Sequence, residues 1–399
     1  MRKLVIAVTL LMICAISCTS FNDAPDFPSV KNKSTRYISS KEAYDIAVSG
    51  YHDFGFDKNS RSNRPASVYL YDTSVNQGRG SEQDSSFYIV NFIDGGFAVV
   101  AAQRNNPNPI FGIAEKGKFS ADDNPNLQYY MELGKEYYAN FPTGPWRPWQ
   151  EIDSAFTFEP DSTVTYINRY VPTKWGQWSS YNFYCPLKDK GIGKKPAGCI
   201  PVAMGQIMAF HRFPTTIEYN DELIPLYWDE MLYCNNIEDL ENISSIGVND
   251  IQLLLHACGI LSDVKYEDEV SFTTMRKGSF ALNKIGFYAQ FYKRPTIEQC
   301  ITSLRDYGPF IMSGKNPEDS IGHAWVTDAL KKVELSFRWS FENGQEPYRI
   351  DYYFDMNWGA KGVGDGFFII PAELDSVIPP LKNVIYKDLE CILNINPAT

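Results

Sequence analysis

The sequence predicts an α+β fold in two parts: a small α+β unit, then a larger one with helices first and an antiparallel sheet second. Three observations carry this prediction. Apolar residues recur at helical spacing in segments between 199 and 306. Short β-rich runs then follow one another between 310 and 370. A proline-rich break near 141–165 separates both from an N-terminal group that has a hairpin of its own.

The 399 residues suffice for two domains, and the 44% apolar and 15% aromatic content belongs to a folded chain. The formal charge of −11 argues against a nucleic-acid partner. The first residues read as a targeting segment. Arg2 and Lys3 precede an apolar run from Leu4 to Ile16 that is too short to span a bilayer. The run ends Ala15-Ile16-Ser17-Cys18, which resembles a bacterial lipobox. Residues 1–17 are then a lipoprotein signal peptide, cleaved ahead of a lipidated Cys18, and 18–36 a polar tether. Thr19 follows the cysteine where an inner-membrane retention aspartate would stand, which favours the outer membrane. The alternative is an ordinary signal peptide cut near the same place.

The first folded unit is expected over 37–140. Ser39-Ser40-Lys41-Glu42 resembles a capping box opening a helix through Tyr51. Ser67–Tyr71 reads as a strand, and Ser86–Ile93 and Phe97–Ala102 as a hairpin around Asp94-Gly95-Gly96. Helical periodicity returns over Asn126–Tyr138. Residues 141–169 are expected to be a linker, a protease-sensitive kind of segment, and 170–399 the second domain. There, helices are expected over Asp250–Gly259, Met275–Ile285 and Thr296–Asp306. Strands are expected over Phe310–Gly314, His323–Leu330, Val333–Phe341, Tyr348–Met356 and Gly366–Ile370.

The second domain is organised around Lys195-Pro-Ala-Gly-Cys199-Ile-Pro-Val-Ala-Met-Gly-Gln-Ile-Met208. Gly198 permits a tight turn, Pro201 suits a first helical turn, and an apolar stripe follows. Cys199 therefore sits at a helix N-terminus, where the helix dipole lowers a thiol pKa. A buried structural cysteine is the competing reading. Beyond the lipobox the cysteines are 185, 199, 234, 258, 300 and 391, an even number with no CxxC spacing, so few or no disulfides are expected. The four histidines, at 52, 211, 256 and 323, form no Cys/His array, so neither a zinc site nor any other cofactor is expected. His211 lies about 18 Å along the helix from Cys199 at 1.5 Å per residue, too far to serve it as a base. His256 and Cys258 read as core. His323, after Gly322, opens a strand. Asn357-Trp358 stands in a glycine-rich turn, and Trp175-Gly-Gln177 offers an amide donor.

Together these blocks resemble the streptopain family of papain-like cysteine peptidases. The resemblance rests on Trp-Gly-Gln and Tyr-Asn-Phe-Tyr-Cys-Pro (175–186), the Cys199 helix, Gly-His-Ala-Trp-Val (322–326), and Asn-Trp-Gly with Gly-Asp-Gly-Phe-Phe (357–368). Residues 87–135 are similar to that family's propeptide. The resemblance implies Cys199 as nucleophile, His323 as general base and acid, Asn357 as histidine orienter and Gln177 as oxyanion donor. It implies a substrate cleft bordered by Gly198, Gly322 and Trp358, with Trp358 also shielding Asn357. The expected partners are protein or peptide substrates, the chain's own inhibitory prodomain (37–140) and a bacterial membrane through the lipid anchor. Ala360-Lys361 stands where the family commonly has a second tryptophan, the stretch 331–349 is long, and Pro201 replaces a smaller residue. Two other functions compete: a catalytically silent or inhibitory binding lipoprotein on the same scaffold, and acyl transfer to an amine with Asp328 as orienter.

Overall fold

The computed structural model describes residues 37–56, 65–71, 87–104, 109–122, 124–139, 161–234, 245–315, 322–336, 348–370, 372–373, 384–385 and 389–398. The signal segment with Cys18, the tether and most of the linker lie outside these residues.

The N-terminal part runs α1 (Ser40–Asp53), β1 (Pro65–Tyr71), β2 (Phe87–Phe92), β3 (Phe97–Ala101), β4 (Ile110–Ala114) and α2 (Pro125–Ala139). The predicted capping box is present: Ser39 Oγ accepts from Glu42 N–H while the Glu42 carboxylate accepts from Ser39 N–H at 2.7 Å. Asn124 caps α2 by accepting from Leu127 N–H at 3.0 Å, and Pro125 occupies the first helical position, where no donor is missed.

The larger part begins with β5 (Asp161–Asn168), α3 (Cys199–His211), the hairpin β6 (Thr216–Tyr219) and β7 (Glu222–Pro225), and α4 (Trp228–Tyr233). Next come α5 (Ser245–Leu261), the small pair β8 (Lys265–Tyr266) and β9 (Ser271–Phe272), α6 (Met275–Ile285), β10 (Phe287–Lys293) and α7 (Ile297–Asp306). The chain then forms β11 (Phe310–Lys315), β12 (Gly322–Ser336), β13 (Tyr348–Asn357), β14 (Gly366–Ile369), the pair β15 (Ala372–Glu373) and β16 (Val384–Ile385), and β17 (Leu389–Pro397).

Two expectations change. Residues 161–168, read as linker, form β5, which pairs with β12 from Asn168↔Ala329 to Asp161↔Ser336. The two strands expected on either side of Lys331-Lys332 are one strand, β12; the residues from 337 onward of the second lie outside those described. A Lys-Lys step suggests a solvent-facing break. Lys331 is buried instead, because its ammonium donates to Phe54 O at the end of α1 and lies 4.0 Å from the Phe56 ring centroid.

The two parts share one sheet. Its order is β1-β2-β3-β4-β14-β13-β12-β11-β17-β10, with β5 beside the distal half of β12. The seam is the antiparallel β4–β14 pair, with Phe367 opposite Ile113 and Phe368 opposite Gly112. The core is continuous across this seam: Phe97, Phe111 and Tyr130 from the N-terminal part join Trp325, Trp358 and Phe368 from the larger part. A second cluster surrounds α3 and α5 on the larger part alone.

Candidate active site

Gly198 sets the position of Cys199. It has φ +96°, and a Cβ there would lie 3.2 Å from Ser271 O. Cys199 then opens α3, whose residues from Ile200 to Ala209 are all buried, Met204 and Met208 among them. The thiol is half-buried and receives the backbone N–H of Ala324, the residue after His323. Its pKa lies above the ordinary thiol value. Burial raises it more than the N–H groups of Ala324, Ile200 and Cys199 itself lower it. The sequence led us to expect the opposite shift, from the helix dipole alone; desolvation outweighs the dipole here.

The segments that carry the other expected residues meet around Cys199. Gln177 O accepts from Ala197 N–H at 2.8 Å, fixing the Trp-Gly-Gln segment beside the turn before Cys199. Gly322 is exposed at the start of β12, opposite Lys315, and His323 pairs with Gly314. Asn357 ends β13 opposite Val326. It is buried, donates to Thr173 O at 2.8 Å and accepts from Gln206 Nε2 and Gly359 N–H, both at 3.2 Å. Trp358 is fully buried; its indole donates to Gly364 O at 2.8 Å and packs 5.1 Å from the Trp325 ring centroid. Lys361, of the Ala360-Lys361 pair that stands where a second tryptophan is common, donates its N–H to Trp175 O at 3.4 Å and lays its stem against Gly176.

The N-terminal part enters this site through α2, the last helix of the expected prodomain. Asn126 Nδ2 donates to Ala324 O at 3.0 Å and also to Trp358 O. Asn124 Nδ2 donates to Val363 O at 2.6 Å. The Tyr129 ring lies 6.0 Å from the His323 ring and covers Gly314, where a Cβ would fall 2.2 Å from Tyr129 Cε1. Tyr130 donates to Ile369 O at 2.7 Å and packs against Trp325, Trp358 and Phe368. These contacts join residues up to 239 positions apart, beyond the reach of periodicity or motif spacing.

Away from this cluster, Asp328 Oδ2 accepts from Val171 N–H at 2.9 Å at a bulge in β12. Burial and the neighbouring Asp355 charge push its pKa well up. Burial, with the Asp365 charge, raises Asp355 to about 7, and burial raises Asp365 to about 6. His256 is half-buried and shares a 2.9 Å hydrogen bond with Tyr219, and Cys258 is core. Among the described residues, no group of three or more His, Cys, Asp or Glu side chains is arranged to hold a metal ion.

Comparison with known proteins agrees with this architecture. Residues 175–368 match the Peptidase C10 family and residues 35–138 match the Spi protease inhibitor family. The chain is 23% identical to streptopain of Streptococcus pyogenes over 338 residues, 75% of this chain and 77% of that protein. It is 24% identical over 361 residues to the thiol protease/hemagglutinin PrtT of Porphyromonas gingivalis, covering 79% of this chain and 38% of that one. A solved prointerpain A fragment from Prevotella intermedia shares the fold, with a TM-score of 0.54 and 20% identity over 84% of this chain and all of the fragment. Residues 175–368 are thus a cysteine peptidase region of the Peptidase C10 family, with a propeptide-like domain ahead of it.

Proposed function

We propose that the chain is a lipid-anchored zymogen of a cysteine endopeptidase, in which residues 37–140 hold the site at Cys199 latent. The observation that carries this reading is the seating of α2, with Asn126 on Ala324 and Trp358 and Tyr129 over His323. A substrate strand and α2 compete for that surface. In the processed enzyme, the Cys199 thiolate pairs with the His323 imidazolium. The thiolate attacks the scissile carbonyl, and the oxyanion is held by the Gln177 amide and the Cys199 backbone N–H. The imidazolium then protonates the leaving amine, and water activated by His323 hydrolyses the thioester. Asn357 orients the imidazole. Gly198, Gly322 and Trp358 border the cleft, and Ala360-Lys361 gives it an aliphatic stem ending in a cation in place of an aromatic wall.

The eight-residue pairing of β5 with β12 supports an activation cut before Asp161, within 141–160, rather than close to Tyr170. A cut there keeps β5 in the enzyme's sheet. Cys18 supports anchoring at the cell envelope, on the outer membrane, with release by the same cut. The test compares the full chain with the same chain processed in the linker, on one peptide substrate. Activity appearing only after processing, and absent from processed Cys199→Ala, supports the reading; equal activity before and after removes latency, and turnover by Cys199→Ala removes the mechanism. Anchoring is tested separately: Cys18→Ala is expected to move the chain from the membrane to the soluble fraction.

A further inference from the structure

Gln206 lies on α3, seven residues after Cys199, and is fully buried in a helix that is otherwise apolar at its core. A buried amide is costly unless its donors and acceptor are bonded. Here Oε1 accepts from Thr173 Oγ1 at 3.1 Å and from Trp175 N–H at 3.2 Å, and Nε2 donates to Asn357 Oδ1 at 3.2 Å. Asn357 Nδ2 in turn donates to Thr173 O at 2.8 Å. Gln206, Asn357 and Thr173 therefore form a closed ring, each bonded to both others. The ring fixes both amides. Trp175 N–H and Gly359 N–H can only donate, and Thr173 O can only accept, so flipping either amide would set like groups against each other.

We propose that Gln206 is a positioning residue of the peptidase reaction. It locks the orientation of the Asn357 amide and the height of the segment leading to Gln177 relative to the helix that carries Cys199. The inference rests on the reading of Asn357 as the orienter of His323 and Gln177 as the oxyanion donor. On that reading Asn357 Oδ1 serves the imidazole N–H, and an amide turned over would offer it N–H instead and favour the wrong tautomer. The ring also spans the three segments that must stay in register during the reaction: 173–177, α3 and the end of β13. An apolar side chain of similar size would fill the same space without an unpaired amide, so packing alone does not call for glutamine at this point.

The test uses the full chain, processed before assay, with Gln206→Glu, Gln206→Met and Asn357→Ala. In Gln206→Glu, the ionised carboxylate keeps both bonds to Thr173 and Trp175 but faces Asn357 Oδ1 with an oxygen. The protonated acid donates to it. The expected result is a kcat about tenfold or more below wild type at pH 8, with KM within about twofold, and recovery relative to wild type as pH falls. Gln206→Met is expected to lose kcat at every pH, and adding Gln206→Glu to Asn357→Ala is expected to cost little more. Wild-type kcat and pH profile in Gln206→Glu or Gln206→Met, while Asn357→Ala is impaired, would overturn the proposal. Unimpaired Asn357→Ala would overturn it through the orienter reading instead, so the two failures are told apart. If Gln206→Met does not fold, the pH profile of Gln206→Glu decides.

Discussion

The seam between β4 and β14 is where latency is most sharply testable. Gly112 faces Phe368 across it, and a Cβ at Gly112 would lie 2.5 Å from both Phe368 Cδ1 and Cε1. Carbon atoms pack at about 3.5–4.0 Å, so Gly112→Ala demands roughly 1 Å of movement. The Phe368 ring has little room to give, since Trp358 stands 5.2 Å and Tyr130 5.8 Å from its centroid. Overpacking of this kind costs about 1–3 kcal/mol. The strain exists only while the prodomain is docked, so it raises the open fraction of the uncleaved chain by about 5- to 150-fold. The assay is the initial rate of full-length Gly112→Ala on a peptide substrate, read while the chain is still intact. Phe368→Leu in the same chain makes room for the methyl and is expected to restore latency. An uncleaved Gly112→Ala chain as silent as wild type, with unchanged thermal stability, would refute the seam as part of the latch.

Two further outcomes follow from the same contacts. Lys331→Met removes the ammonium that reaches Phe54 O and lies among the Phe54, Phe56, Tyr166 and Phe367 rings. It is expected to weaken docking of the N-terminal part by about 1–2 kcal/mol, seen as earlier thermal unfolding and faster processing of the uncleaved chain. Asp355, raised to about 7, and Asp365, raised to about 6, hold protons in the folded chain that the unfolded chain releases near pH 4. Their contribution to stability is full below about pH 4 and is lost as pH rises to about 7. Asp355→Asn should therefore flatten the fall of Tm between pH 5 and 8; an unchanged slope would contradict the burial of this carboxyl.

What could be read from the sequence was local. The Ser39–Glu42 box, the Asp94-Gly95-Gly96 hairpin and the Gly198-Cys199 helix start each carry their signal within a few residues, and each forms as expected. β4 (IFGIA) escaped notice because a five-residue apolar run has no period of its own, and it becomes a strand by lying between β3 and β14. β5 was hidden by the proline-rich run before it, although Val164, Tyr166 and Ile167 fit a strand. β10 and β17 pair with each other across about a hundred residues of chain, so neither announces its partner. In the site, the family resemblance implied Cys199, His323, Asn357 and Gln177, because it rests on the blocks that hold them. Asn126, Tyr129 and Gln206 were unreadable for a physical reason. Each acts through contacts to distant segments, and an Asn at a helix start or a Gln within a helix has an ordinary local explanation.

The most direct test of the account is labelling of Cys199 by an epoxide inhibitor selective for papain-like thiols, with the modified residue located by mass spectrometry. The chain is expected to resist labelling while residues 37–140 remain attached, and after cleavage within 141–160 to be labelled stoichiometrically at Cys199, with the labelling lost in His323→Ala. Equal labelling before and after cleavage, or a cleaved chain in which Cys199 stays unmodified, would contradict it.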